Sequence, residues 1–177
     1  MNVSSVTTRR KRPNPIATLL PDVIGLKGAL AGVGGGLAMA VVAALLTWSL
    51  DQDIWLQPKA IAAFVLGSGA TAPGFAAVPV LLGTLIHLAV SALLGAAFEV
   101  VVGRLLRLPS DLGAPLLTGL VYGMVTWLVA YFVIVPVLSP QLLEVYAPAF
   151  IIQHIVYGVV TSLLYAYMRP RPYSLEV

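Results

Sequence analysis

Residues 28–50 read GALAGVGGGLAMAVVAALLTWSL and contain no charged side chain. A helix rises 1.5 Å per residue, so about 20 such residues are enough to cross the roughly 30 Å of hydrocarbon in a bilayer. Four basic residues, Arg9 to Arg12, precede this run, as they would in a signal peptide. The run is longer than a signal core and has no convincing small-x-small cleavage site, so we interpret it as a retained transmembrane helix.

Three further stretches meet the same length requirement, at about 78–102, 114–135 and 147–168. The chain of 177 residues is 59% hydrophobic and only 10% charged, and its mean hydropathy is +0.96. Soluble domains carry about 25% charged residues, because their surface must meet water. The composition therefore predicts an all-α polytopic membrane protein, a four-transmembrane-helix bundle whose outer surface meets lipid.

Helix-terminating residues lie at the ends of these spans. A proline is tolerated in the first turn of a helix but not in its interior. The predicted starts are Pro79, Pro115 with Ser110 or Asp111 as the cap, and Pro148, and the predicted stops are Pro136 with Pro140, and Pro170. We therefore divide the chain into a basic N-terminal tail (1–23), a transmembrane domain (24–168) and a C-terminal tail (169–177).

The basic residues indicate the orientation, because Lys and Arg near span ends are retained in the cytoplasm during insertion. With the N-terminus inside, nine of the ten basic residues are cytoplasmic: Arg9, Arg10, Lys11, Arg12, Lys27, Arg104, Arg107, Arg169 and Arg171. Only Lys59 lies outside. We predict that both termini are cytoplasmic. Because the charges follow the span ends rather than one face, the net charge of +3 does not indicate a nucleic-acid partner.

Two connections then lie outside the membrane. The longer one, Asp51 to Ala77, contains an apolar stretch from Ala60 to Leu66 that is too short to span. We expect this stretch and Trp55 to lie in the membrane interface as a short amphipathic or weakly re-entrant segment. The shorter one, Ser139 to Tyr146, is predicted to be an interfacial helical turn.

Small residues recur every four positions within the spans, and such stripes let two helix backbones approach closely in lipid. The glycines that we expect to serve helix packing are Gly28, Gly32, Gly36, Gly83, Gly95, Gly119, Gly123 and Gly158. The stripe of the first span is the longest, so we expect the other helices to pack against that span. Spans one and three both carry glycines, and spans two and four both carry a histidine followed by small residues. One interpretation is a duplicated two-helix hairpin; the alternative is that any packed membrane helix shows such stripes.

His87 and His154 are the only histidines, and they follow helix-opening prolines by similar intervals. At 1.5 Å per residue they lie about 12 and 9 Å from the outer ends of their spans. Two imidazoles at one depth could ligate a b-type haem as cofactor, hold a metal ion or pass a proton. The alternative is a neutral histidine hydrogen-bonded to a neighbour such as Ser91, Gln153, Tyr122 or Thr126.

Ser91, Glu99 and Gln153 are the other polar residues that we expect inside the membrane. A carboxylate there is costly unless it is paired or protonated or reaches the interface, so Glu99 is expected to form an ion pair with Lys27 or Arg104 or to snorkel. The sequence contains no cysteine and no paired carboxylates, nucleophile with a base, phosphate-binding loop or metal-binding constellation. It therefore predicts no enzyme and no dedicated metal site.

A glycine-rich first helix is followed by Trp55, Pro58, the run Ile61 to Ala63 and a second helix with an inward histidine. In this order the chain resembles uncharacterised four-span proteins of bacterial inner membranes. The resemblance covers most of residues 28–168 and implies a cytoplasmic-membrane location, but it assigns no functional residue.

These observations favour a non-enzymatic accessory or structural subunit, packed against a larger membrane complex or against copies of itself. The motivation is that the small-residue faces are more numerous than four helices need for internal packing. The first alternative is an electron-transfer protein with haem between His87 and His154. The second is a small transporter or channel with a polar cavity at His87, Ser91, Glu99 and His154.

Overall fold

The computed structural model describes residue 21 and residues 23–107, 113–144 and 146–169. This part of the chain forms five helices: α1 (Leu26–Ser49), α2 (Leu56–Leu66), α3 (Ala77–Leu105), α4 (Gly113–Leu138) and α5 (Ala147–Met168). Short 3-10 turns follow α2 at Ser68–Thr71 and α4 at Pro140–Glu144. The predicted roles of Arg9 to Arg12, Ser110, Asp111, Pro170 and Arg171 concern residues outside the described ranges.

Four of these helices, α1, α3, α4 and α5, are long and apolar enough to cross a membrane. Most of their large apolar side chains point outward, which is the surface that a bilayer solvates. The all-α prediction with four spans is confirmed, and no strand occurs in the described residues. The chain is an integral membrane protein in contact with lipid.

The end of α4 differs from the prediction. Pro136 does not stop this helix, which continues to Leu138. The segment immediately before it, Ala130–Ile134, is a π-helix. A proline ring would clash with the carbonyl group four residues earlier in an α-helix, and a wider π turn accommodates it. The helix ends only at Ser139, where the backbone leaves helical geometry.

The bundle is built around α1 and α5. α1 packs against α3 and α5, and α5 also packs against α4. Half of the most apolar stretch of α5 is buried, compared with 28% for α1 and 17% for each of α3 and α4. The expectation that the other helices pack on α1 therefore agrees with the contacts of α3 and α5 but not with those of α4, which packs on α5. The reason is that α5 has two packing faces, small residues toward α4 and Tyr157 with Thr161 toward α1.

The helices α1 and α3 form a first hairpin and α4 and α5 a second. The two hairpins are held by equivalent contacts. In the first, Gly32 and Gly36 of α1 face α3, and in the second, Gly119 and Gly123 of α4 face α5. The opposing helix carries a histidine and then two small residues at intervals of four: His87, Ser91 and Gly95 in α3, and His154, Gly158 and Ser162 in α5. This correspondence is what a duplicated hairpin predicts.

The contacts between the two hairpins break the symmetry. On one side, Gly35 of α1 lies directly on Tyr157 and Thr161 of α5. At the equivalent position of the second hairpin stands Tyr122, whose hydroxyl reaches across to the Leu94 carbonyl of α3. Its ring also contacts Phe98, with 4.9 Å between centroids. A tyrosine in place of a glycine keeps the α3 and α4 backbones apart, so α1 and α5 become the tightly packed pair.

The helix α2 covers the end of the bundle that we call the α2 end; the opposite end, where α1 begins and α5 finishes, is the terminal end. α2 packs on α3, and its Pro58 carbonyl lies where a side chain on Gly83 would be. Ala60 is fully buried and packs with Phe150. The expected interfacial segment is therefore a helix with one face packed on protein, because its alanines are small enough to lie directly on the bundle.

Lys59, the one basic residue predicted outside, is fully buried and fastens the loop after α2. Its ammonium group donates to the Asp53 carboxylate at 2.7 Å and to the carbonyls of Ala72 and Gly74 at 2.6 and 2.8 Å. Each of its three N–H groups therefore has an acceptor, which is the condition for keeping a cation out of water. Asp53 also accepts the amides of Trp55 and Gly74. We call this group of interactions the Lys59 clip.

The Lys59 clip predicts acid sensitivity of the α2 end. Partial burial raises the pKa of Asp53, but the hydrogen bonds from Lys59, Trp55 and Gly74 outweigh it and hold this pKa below its ordinary value. The stabilisation is therefore complete above the unfolded pKa of about 3.9 and is lost as the pH falls through the lower folded value. We expect unfolding midpoints measured between pH 6 and 2.5 to drop at the acid end. In Asp53→Asn the part of this drop that comes from Asp53 should be missing. A variant whose unfolding midpoint depends on pH as in the parent chain would contradict the assignment.

Candidate functional site

The polar stripe of α3 faces α1, and direct backbone contacts hold it there. A side chain on Gly28 would overlap the Gly95 carbonyl, and one on Gly32 would overlap the Ser91 carbonyl. One turn further toward the α2 end, Gly36 lies against the Ser91 side chain. The predicted packing role of these glycines is therefore met within the chain, and the same holds for Gly83, Gly119, Gly123 and Gly158.

His87 lies at the α2-end side of this contact. Its Nε2 is 3.0 Å from the Gly36 carbonyl oxygen of α1. A carbonyl oxygen only accepts, so Nε2 carries the proton and Nδ1 is left as an acceptor. Its predicted neighbour Ser91 is one turn away on the same helix, but the hydrogen-bond partner is a backbone group on another helix. This is the neutral-histidine alternative with a partner that the sequence did not reveal.

His154 is 8% exposed and bonds within its own helix. Its Nδ1 donates to the Phe150 carbonyl at 2.8 Å, and its ring packs edge-on against the Phe150 ring with 4.6 Å between centroids. Nε2 is therefore the acceptor nitrogen of this imidazole.

Two tyrosines near mid-span have a role that the sequence analysis did not predict. Tyr157 of α5 donates its hydroxyl to the Ser91 carbonyl of α3 at 2.8 Å, and Tyr122 of α4 donates to the Leu94 carbonyl at 2.7 Å. Tyrosines at span ends belong to the interfacial aromatic belt, but these two lie well inside their spans. Their distance from the ends was the signal that could have identified them as helix-to-helix fasteners.

Gln153 is the most unusual of the predicted polar residues. It is 0% exposed, and neither its amide nitrogen nor its amide oxygen has a hydrogen-bond partner among the described residues. The indole nitrogen of Trp127 is likewise buried without a partner in this part of the chain. An unpaired buried amide is costly, so Gln153 is the residue whose presence packing does not explain.

Glu99 is 5% exposed and accepts a hydrogen bond that the sequence did not predict. Its Oε2 accepts the backbone N–H of Gly28 at 2.6 Å. Gly28 lies in the first turn of α1, where N–H groups have no partner within the helix and the helix dipole favours a negative charge. The residue before α1, Gly25, offers no side chain for capping. The carboxylate of α3 therefore caps α1 from a neighbouring helix.

This cap gives a prediction on stability. In Glu99→Leu the Gly28 amide loses its acceptor inside the bundle, and we expect a loss of about 1–3 kcal/mol in the free energy of unfolding. Glu99→Gln keeps an acceptor oxygen but not the charge, so it should fall between Leu and the parent chain. Thermal unfolding in detergent measures the order. A Leu variant as stable as the parent would contradict the capping role.

The contacts of the two histidines bear on both the haem hypothesis and the cavity hypothesis. The cavity at His87, Ser91, Glu99 and His154 is closed on the α1 side, because the glycine stripe of α1 fills the space beside Ser91 and Glu99. For haem, Nε2 of His154 is available, but Nε2 of His87 is bonded to Gly36. In the described residues there is also no group of three or more His, Cys, Asp or Glu side chains that could hold a metal ion.

Comparison with known families bears on this fold as a whole. The model of one family, described as a family of unknown function, DUF6789, matches residues 24–176. The chain belongs to DUF6789. No curated protein and no solved structure matches it. Membership of DUF6789 agrees with the resemblance to uncharacterised four-span membrane proteins and covers all five helices. Since the description of DUF6789 names no activity, function has to be argued from the contacts themselves.

Proposed function

We propose that this DUF6789 protein is a non-enzymatic structural or accessory subunit of a membrane assembly in the bacterial cytoplasmic membrane. The observation that carries the proposal is how its intramembrane polar groups are used. His87, Glu99, Tyr122 and Tyr157 each bond a backbone group of a different helix. Such bonds hold the helices to one another. A rigid scaffold is the function that this arrangement serves.

The surface available to a partner is apolar. The expectation of surplus small-residue faces is not supported, because every glycine of the four spans except Gly113, the first residue of α4, packs against another helix of the same chain. The least buried helices, α3 and α4, instead present large apolar residues such as Leu85, Leu93, Leu117 and Val121. We expect a partner, or a second copy, to pack against these faces.

The absence of cysteine makes cross-linking a clean test of this surface. Single cysteines at Leu93 of α3 and Val121 of α4 should give disulfide or cross-linker adducts in native membranes. A cysteine at Leu45 of α1, also exposed, serves as the comparison on another face. The same membranes, solubilised in mild detergent, should yield a complex heavier than the single chain. A partner-free monomer without adducts at either position would refute the proposal.

The same preparation separates the scaffold from the haem alternative. A structural subunit predicts no reduced-minus-oxidised difference spectrum. A spectrum lost in both His87→Ala and His154→Ala would instead establish a haem protein. For the transporter alternative, purified protein in liposomes should show no flux that changes on substitution of Glu99.

Our proposed orientation places the terminal end in the cytoplasm and the α2 end outside. The nine-to-one distribution of basic residues supports it. A cysteine at Ser68, which is exposed in the turn after α2, should react with a membrane-impermeant maleimide in intact cells. Cysteines at Ser5 and Ser174, outside the described residues, should react only after permeabilisation. Labelling of either of these in intact cells would reverse the orientation.

A further inference from the structure

The buried residue Gln153 of α5 lies at the level of the histidine of α3. α3 and α5 run in the same direction, and the Tyr157 hydroxyl of α5 reaches the Ser91 carbonyl of α3. Residues four positions apart lie on one face of a helix, one above the other. One turn toward the α2 end from Tyr157 is Gln153, and one turn from Ser91 is His87. The Tyr157 bond therefore places Gln153 and His87 at the same level on facing helices.

His154 lies in the same turn of α5, since it is adjacent to Gln153, and its Nε2 is left as an acceptor. The layer is closed toward the α2 end, where the Phe150 ring lies on the His154 ring and packs against Ala60 of α2. Toward the terminal end it is closed by Tyr157, which is fully buried. We call His87, Gln153 and His154 the Gln153 layer.

The Gln153 layer contains hydrogen-bond donors and acceptors that have no described partner. His87 and His154 each donate one proton to a backbone carbonyl and keep one acceptor nitrogen. Gln153 adds one acceptor oxygen and two donor N–H groups without described partners. A molecule that fits this set must donate at least two hydrogen bonds, accept at least one, and be small. Water meets these requirements, and internal waters in proteins commonly make about three such bonds.

We propose that the Gln153 layer is an internal hydration site, in which one or more water molecules bridge Gln153 to the acceptor nitrogens of His87 and His154. The alternative, a dry amide, would leave a donor and an acceptor unpaired where no bulk water reaches. Bound water explains why a glutamine occupies a position that an apolar side chain of the same length would fill.

Thermal unfolding distinguishes a hydrated Gln153 layer from a dry amide. Methionine has nearly the length of glutamine but no amide, so Gln153→Met removes the bridging partner without opening a large cavity. For a hydrated layer we expect the unfolding midpoint to fall by roughly 2–6 °C. For a dry amide the midpoint should rise, because an unpaired polar group has been replaced by an apolar one. Ile152→Met, a half-exposed neighbour on the lipid-facing side, is the matched control and should change the midpoint little.

A direct measurement keeps the proposal falsifiable even if Gln153→Met does not fold. In bilayer samples labelled with ¹⁵N at glutamine and histidine, solid-state NMR transfer of magnetisation from water should reach the His87, Gln153 and His154 side chains. Transfer to these side chains supports the hydration site. Its absence from the Gln153 amide, while the amide of the exposed loop residue Gln52 shows it, would overturn the proposal.

Discussion

Substituting Gly95 by valine is expected to be the most damaging single change in the membrane domain. A β-carbon there would overlap the Gly28 carbonyl and lie 2.6 Å from the Cα of Gly32. These are backbone atoms of α1, so neither can rotate away as a side chain could. Overpacking a core costs about 1–3 kcal/mol when neighbours can adjust, and we expect more than about 3 kcal/mol here.

The control is Ala97→Val, two residues along the same helix and exposed on the lipid side. It adds a comparable side chain to α3 without touching α1. Thermal unfolding of both variants in detergent, together with yield from membranes, measures the difference. Gly95→Val should be depleted or unfold far below the parent, whereas Ala97→Val should behave like it. Two variants of equal stability would mean that α1 and α3 do not meet at this glycine.

The second large effect is expected from Lys59→Met. This change leaves the Asp53 carboxylate without its cation and removes the donor to the carbonyls of Ala72 and Gly74. Breaking a buried ion pair costs about 3–5 kcal/mol, but the Asp53 side chain is 27% exposed, so we expect about 2–3 kcal/mol. The loop between α2 and α3 should also become accessible to protease.

A double variant tests whether the loss belongs to the pair. Lys59→Met combined with Asp53→Asn removes both charges, so it should lose less stability than the sum of the two single changes. The protease sites in the loop after α2 report local loosening independently of global unfolding. A Lys59→Met chain with parental stability and an intact loop would show that the buried lysine does not hold the α2 end.

The effects expected at Gly95 and Lys59 differ in how far they could be predicted from the sequence. Gly95 was predicted as a packing residue, since small residues at intervals of four mark a helix contact whatever the partner is. Lys59 was noticed only as the exception to the charge rule for topology. Two of its three acceptors are the backbone carbonyls of Ala72 and Gly74, a group that every residue possesses, so no residue type in the sequence identifies them. Glu99 and His87 repeat the lesson, with the Gly28 amide and the Gly36 carbonyl as partners.

The number of spans and the faces used for packing were determined by the sequence alone. Bilayer thickness imposes a length that can be counted, and close approach in lipid imposes small residues at helical spacing. The tertiary structure decided which helix each face meets. Apolar side chains are about equally stable against lipid and against one another. Hydropathy therefore does not indicate whether α1 or α5 is the most buried helix. The tertiary structure also decided the hydrogen-bond partners of the buried polar groups, because these partners are mostly backbone atoms that only the packed bundle brings close.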